Sequence, residues 1–309
     1  MKGRHIDLFL DSGAYSAWTQ GVEIDIHEYI KFIKEHKDLL TIYTNLDVLP
    51  KVGDDQAGLK KSAELTLENQ KIMEGEGLTP LPVFHVGQPF SFLEYYVDNY
   101  DYLGLGAMVG KPKSTLIPWL DSCFSDFICD GEGMPKIKIH GFGITALDML
   151  LRYPWYSVDS TSWVMTGRMG SVYIPRYKNG GWVYDENSWK IAVSTQSPGS
   201  KEAGKHINTL PPRKKQIILN YIHDKGYSLG KSRFEKVDQN RKLEKGERWA
   251  EKKPKGGGKR MIEIIEEPGL CNRYELRDEL NIIYFKDLED HIPEWPQPFR
   301  GSRVKGFSL

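Results

Sequence analysis

Six times before residue 161 this chain runs through a short apolar, β-branched or aromatic stretch and stops it with an aspartate or a glycine. The stretches are HIDLFLD, LTIYTNLD, LPVFHVG, YLGLG, IKIHGFG and YSVDS, with helix-like segments between several of them. Short, nearly continuous apolar runs read as strands buried on both faces, and their alternation with helices predicts a parallel sheet. Ile26, Tyr29, Ile30 and Ile33 mark one face of a helix between the first two runs, while Leu59, Ala63, Leu65, Leu67 and Ile72 follow the second less regularly. The residues that end the runs, Asp11, Asp47, Gly87, Gly106, Gly143 and Asp159, all lie on the C-terminal side of their strands. An open doubly wound sheet needs such ends only near its switch point, whereas a (β/α) barrel builds its active site from the whole C-terminal rim.

The fold class expected is therefore α/β, a TIM-type (β/α)8 barrel, irregular or incomplete because only six strands are evident. SVYIP with GWVY, or WKIAVS, would supply the missing two. The barrel is expected to occupy residues 1–205, and a C-terminal helical and basic extension residues 206–309. In that extension Ile217, Ile218 and Tyr221 form an apolar stripe behind the prolines of PPRKKQ, and the globular tail from Met261 is expected to pack back on the barrel.

The formal net charge is zero, yet between Lys231 and Arg260 there are 12 Lys and Arg against 5 Asp and Glu. That basic arm suits a phosphate backbone; a solvated linker broken at its three glycines, 256–258, is the alternative. Lys252, Lys253, Lys255, Lys259 and Arg260 are its candidate contacts. The three cysteines, Cys123, Cys129 and Cys271, show neither CxxC spacing nor a disulfide framework. Together with the absence of an apolar run near 20 residues and an N-terminal apolar segment too short for a signal peptide, they point to a cytosolic protein with no membrane partner. GKPKS at 110–114 lacks Walker spacing. No metal and no cofactor is expected.

Asp11 and Asp159 at strand ends can serve as acid or base and as nucleophile if they face one another across a barrel mouth, with Asp47 as a third carboxylate. A carboxylate nucleophile suits an anomeric carbon, where the transition state is oxocarbenium-like. Strand-end aspartates also cap helices, which is the competing explanation. In DSGAY the glycine permits a turn that swings Tyr15 over the mouth to stack on a planar base, unless Tyr15 and Trp18 pack beneath the first helix. His140 is either a substrate contact or a hydrogen-bonded structural histidine.

The ordered set DSGAYS, NLDVLP, VFHVGQ, LGLGAMVG, IHGFGIT and VDSTSWVMTGRMG, spanning about residues 7 to 175, resembles the tRNA-guanine transglycosylase superfamily, whose members exchange a guanine in a polynucleotide for a 7-deazaguanine. The resemblance implies Asp159 as nucleophile and Asp11 as the second catalytic aspartate, Tyr15 stacked on the base, and Asp47 reading its amidine edge. It implies Gly106 and Ala107 as a backbone segment against the base, with Ser12 and Gly141 beside them, and Arg168 near a substrate phosphate. Val86 stands where the family has a base-reading glutamine, leaving His85 or Gln88 as substitutes. Lys111 stands where bacterial tRNA enzymes carry an acidic residue, which argues for a neutral incoming base rather than a cationic one. The family's C-terminal zinc motif is missing. The chain looks most like the phage and bacterial DNA branch, so the expected partners are DNA and a small 7-deazaguanine. A tRNA substrate, a carboxylate-pair N-glycosidase and an inactive nucleic-acid-binding barrel are the rivals, and pairing with a second copy of the chain stays open.

Overall fold

A computed structural model describes residues 7–51, 53–196 and 203–301. The chain forms two compact units, one running to Ser160 and resuming at Pro293, the other Thr161–Ile292.

The first unit alternates strand and helix: β1 (Phe9–Leu10), α1 (Ala14–Gln20), α2 (Ile26–His36), β2 (Ile42–Tyr43), α3 (Gln56–Gly75), β3 (Val83–His85), α4 (Phe90–Asn99), β4 (Tyr102–Gly106), α5 (Lys113–Ser122), β5 (Lys138–Gly141), α6 (Leu147–Arg152) and β6 (Ser157–Val158). All six apolar runs contain strands, although the first two residues of HIDLFLD lie outside the described residues. β1 pairs parallel with β2, and β3, β4, β5 and β6 form a parallel sheet in that order. A parallel bridge between Thr44 and Leu81 joins the two groups.

The array is curled. Four strand spacings would separate β1 from β5 by about 19 Å in a flat sheet, yet the Phe9 ring of β1 stacks on the His140 ring of β5 with centroids 4.5 Å apart. Ladders and bridge therefore bend the strands around shared interior side chains, with every C-terminal end on one rim.

The helices that cover the array follow the sequence in different ways. Asp25 caps α2 by accepting from the N–H groups of His27 and Glu28, and the helix buries Tyr29, Ile30 and Ile33 as its spacing predicts. Asp55 caps α3, which buries Ser62, Ala63, Thr66, Gln70 and Met73, while Leu65 faces solvent. The polar stripe has a purpose. Ser62 accepts from Gln88, Thr66 accepts from the Val48 N–H, and Gln70 donates to the Pro80 carbonyl. One face of α3 thus anchors loops around β2 and β3, which explains why its apolar spacing looked irregular.

The second unit contains α7 (Ser162–Arg168), β7 (Ser171–Ile174), β8 (Arg176–Lys178), β9 (Gly181–Val183), β10 (Trp189–Ala192), α8 (Pro212–Asp224), β11 (Lys231–Asp238), β12 (Glu247–Trp249), β13 (Lys259–Glu267) and α9 (Tyr274–Glu289). Here the expectation that SVYIP with GWVY, or WKIAVS, supplies the last two barrel strands needs correction. SVYIP, GWVY and WKIAVS do form strands, but β7 pairs antiparallel with β10, and β8 with β9. None extends the parallel array. The physical reason is local: Asn179 and Gly180 both have positive φ, 50° and 86°, as a two-residue hairpin turn requires, whereas a parallel connection needs a crossover of about a dozen residues.

The boundary also falls elsewhere than 205/206, because Val172, Ile174, Ile191, Ile218, Tyr221 and Leu280 share one core. The extension is not simply helical: its basic stretch folds into an antiparallel sheet of order β11-β13-β12, with the three glycines in the loop before β13. Of the tail, α9 belongs to the second unit. Phe299 belongs to the first, where its ring stacks on Tyr153 at 5.4 Å.

Candidate active site

The rim of the parallel array gathers three carboxylates. Asp11 follows β1, Asp47 follows β2 and Asp159 follows β6. None of them is a helix cap: the N-cap of α1 is Gly13 and that of α7 is Thr161, both without a side-chain cap, while the capping aspartates are Asp25 and Asp55. The competing explanation for these residues is therefore removed.

Asp47 is held at both oxygens. Ser12 Oγ donates to Oδ1 at 2.9 Å and His85 Nε2 donates to Oδ2 at 2.8 Å. Each carboxylate oxygen has two lone pairs, so an acceptor remains on each, side by side. His85 is buried, and its backbone N–H donates to Gln88 Oε1 at 2.9 Å, with Gln88 Nε2 in turn donating to Ser62. Gly106, next to His85 in the β3–β4 register, leaves room for the ring: a Cβ there would lie 2.8 Å from His85 Cδ2. Ala107 beyond it is held at φ 57°, a left-handed conformation that a non-glycine residue adopts at some cost.

Asp159 is half-exposed, and its Oδ1 accepts from the Gly143 N–H at 2.7 Å. Crowding by protein atoms raises its carboxyl above the ordinary range, and that hydrogen bond opposes the rise. Asp11 is pushed up to about 6, first by the protein wall around it, then by the charges of Asp47 and Asp159, against the N–H groups of Ser12 and Gly13. It reaches solvent all the same.

Behind Asp159 runs a partly buried polar chain. Tyr102 Oη lies 2.6 Å from Ser157 Oγ, which lies 2.7 Å from His140 Nδ1, and His140 Nε2 is 3.9 Å from Asp159 Oδ1 with no hydrogen bond of its own. Burial lowers the His140 pKa to about 4, so the ring is neutral at pH 7.

Among the expected site residues, Asp11, Ser12, Asp47, His85, Gly106, Ala107, Gly141 and Asp159 belong to this rim or its strand ends. Gln88 requires correction as a base-reading residue: it is 3% exposed and its amide is committed to His85 and Ser62. His85 likewise spends its one outward nitrogen on Asp47, so both side chains support rather than read. Gly141 is closed over by Trp155, which a Cβ would meet at 2.9 Å. Lys111 is exposed on the loop after β4. Tyr15 and Trp18 are exposed, 51% and 42%, with rings 6.1 Å apart, so they do not pack beneath α1. Arg168, Lys252, Lys253, Lys255, Lys259 and Arg260 belong to the second unit. Arg260 stacks its guanidinium over Trp249 at 4.4 Å.

Sequence reasoning missed Ser157, Tyr102 and the Gly143 N–H. Ser157 precedes Asp159 by two residues and so shares its face of β6, a usable signal. Among the described residues no three His, Cys, Asp or Glu side chains are placed to hold a metal ion, and no helix is long and apolar enough to cross a membrane. Asp11 and Asp159 offer proton transfer and nucleophilic attack at one rim, and Asp47 offers two adjacent acceptors. No family model matches the chain, and no curated protein matches it.

Proposed function

We propose that the chain exchanges guanine in DNA for a 7-deazaguanine through a covalent sugar–enzyme intermediate, on a curled array that is an incomplete (β/α) barrel. One observation carries this reading: a half-exposed carboxylate, Asp159, shares a strand-end rim with a carboxyl that titrates near neutrality, Asp11, and with Asp47, held by Ser12 and His85 with one acceptor lone pair left on each oxygen.

The target base must leave the stack before its anomeric carbon can be reached, which costs a few kcal/mol. An Asp159 oxygen attacks C1′ as the C1′–N9 bond breaks and the bonding pair leaves with guanine. Asp11, directly or through a water, gives that base a proton. The incoming 7-deazaguanine returns a proton to Asp11, its nitrogen bonds to C1′, and Asp159 is expelled as the carboxylate. A group with a pKa of about 6 suits both transfers. Neutral His140 behind Asp159 adds no positive charge that would blunt the nucleophile. The paired acceptors of Asp47 match the N–H and NH2 of a guanine edge, and exposed Tyr15 offers a stacking face. Arg168 and the lysines of the second unit hold phosphates in this reading.

The test is a base-exchange assay with labelled guanine and with a nitrile-bearing 7-deazaguanine, using DNA and tRNA in parallel. Label entering DNA with intact Asp159, and falling at least about 1,000-fold in Asp159→Ala, is the expected result. Label in tRNA alone would move the substrate to RNA. Free guanine with nothing inserted would make the chain a hydrolase.

A further inference from the structure

The second unit holds a cavity of about 420 Å³ whose lining includes Arg168, Arg248, Arg277, Ser194, Gln196 and Tyr274. Three guanidinium groups around one cavity repel each other, so the structure must supply counter-charge or leave it to a ligand.

The counter-charge inside the protein falls short. Arg248 donates through Nε and Nη2 to Glu263 Oε2, both at 2.8 Å, and this pair is closed: Glu263 is fully buried and also accepts from Thr195 and Gln196. Arg277 is only 5% exposed, yet among the described residues it has no ion pair. Its Nε and Nη1 donate to the carbonyls of Gly167 and Leu270 at 2.6 and 2.7 Å, both neutral acceptors, and Nη2 has no hydrogen bond among the described residues. Burial and the charge of Arg248 both work against its protonated form, a cost that partners normally offset. Arg168 is exposed and has neither hydrogen bond nor ion pair among the described residues; Asp278 is the carboxylate that senses both it and Arg277. Glu275 also acts on Arg277 but is itself paired with Arg273 at 3.3 Å, so Glu263 and Asp278 against the three arginines leave one positive charge uncompensated.

We infer that this cavity is a phosphate-binding site and that its occupant is a backbone phosphodiester of a nucleic acid. Guanidinium forks match phosphate oxygens in direction as well as charge. At the rim, Tyr274 and Met169 are 46% and 63% exposed, giving the nucleoside next to that phosphate an aromatic and an apolar surface. Only the choice of a polymer as the source of the phosphate rests on the function proposed above; the anion itself does not.

Arg168→Gln is the decisive variant, because the Arg168 side chain makes no hydrogen bond or ion pair among the described residues that its loss would break. Full-length wild type and variant would be titrated into a fluorescent single-stranded oligodeoxynucleotide at several salt concentrations, with inorganic phosphate as a competitor and melting temperature as a folding control. The expected result is an affinity lowered roughly tenfold and a salt slope reduced by about 0.7, at unchanged melting temperature. Tyr274→Ala should weaken binding with the slope unchanged. Equal affinity and slope in Arg168→Gln would overturn the site, as would phosphate competition that is the same in both proteins. If no base exchange occurs while the slope still drops, the transglycosylase reading falls and this site stands; if exchange occurs and the slope is unmoved, the reverse holds.

Discussion

Asp11 and His140 answer to pH in opposite senses. The Asp11 carboxyl titrates near 6 against an ordinary 3.8, so the folded chain holds that proton more tightly than the unfolded chain. Its contribution to stability is complete below about pH 4 and is lost as pH rises through 6. His140 titrates near 4 against 6.5, so its contribution is present above pH 6.5 and is lost as pH falls through 4. Asp11→Asn removes the first effect alone. Thermal melts should show the variant more stable than wild type above pH 6, with the gain vanishing toward pH 4, while base exchange loses the limb of its pH profile near 6. A gain that is the same at every pH would mean that ionisation of Asp11 is not its source. At this scale the three rim carboxylates were legible in the sequence because each ends an apolar run. The Tyr102–Ser157–His140 chain was not, since its members sit on three strands and meet only through a register in which Tyr102 pairs with Lys138 and His140 with Ser157. Gln88 was misread for a related reason: its composition suits base reading, but only packing shows both ends of its amide occupied.

Each strand end is shaped by what its neighbour leaves room for. Gly106→Ala would drive a methyl against the His85 ring at 2.8 Å, and the ring has little space to yield because it is buried and tied to Asp47. Denaturant unfolding should show a loss of about 1–3 kcal/mol, and base exchange should fall at least about tenfold as Asp47 loses one of its two supports. Gly75→Ala, near the C-terminus of α3 with open space around it, is the matched control and should stabilise by about 0.5–1 kcal/mol. Equal behaviour of the two would show that the His85 contact does not govern Gly106. The parallel strands were readable because burial on both faces demands continuous apolar runs. The β8–β9 hairpin was announced by Asn179 and Gly180, a turn signal passed over in favour of completing a barrel. α3 concealed itself because the face that it buries is partly hydrophilic, and the partners that satisfy Ser62, Thr66 and Gln70 come from loops distant in sequence.

For the molecule as a whole, the basic stretch proves less uniform than its count suggests. Lys231, Arg233 and Arg241 are engaged with Glu266 and Glu247 within their own sheet. Lys252, Lys253, Lys255 and Lys259 stand exposed on and beside the loop before β13, without ion pairs among the described residues. Replacing these four with glutamine should reduce the slope of log affinity for DNA against log salt by about 3 and leave the melting temperature unchanged. An unchanged slope would remove the loop from the proposed DNA-binding surface. Composition located the basic region, but not its partition into paired and unpaired charges, which depends on strand register. Domain limits were hidden because the core that unites residues 172 to 280 is assembled from pieces whose contacts span over a hundred residues. The division has a consequence in time. The segment carrying Phe299 completes the first unit, where it covers Tyr153 and Phe124, but it is synthesised after the whole of the second. At typical translation rates, residues 161 to 299 take roughly 7–28 s to appear. Throughout that interval the nascent first unit lacks the ring that covers Tyr153 and Phe124.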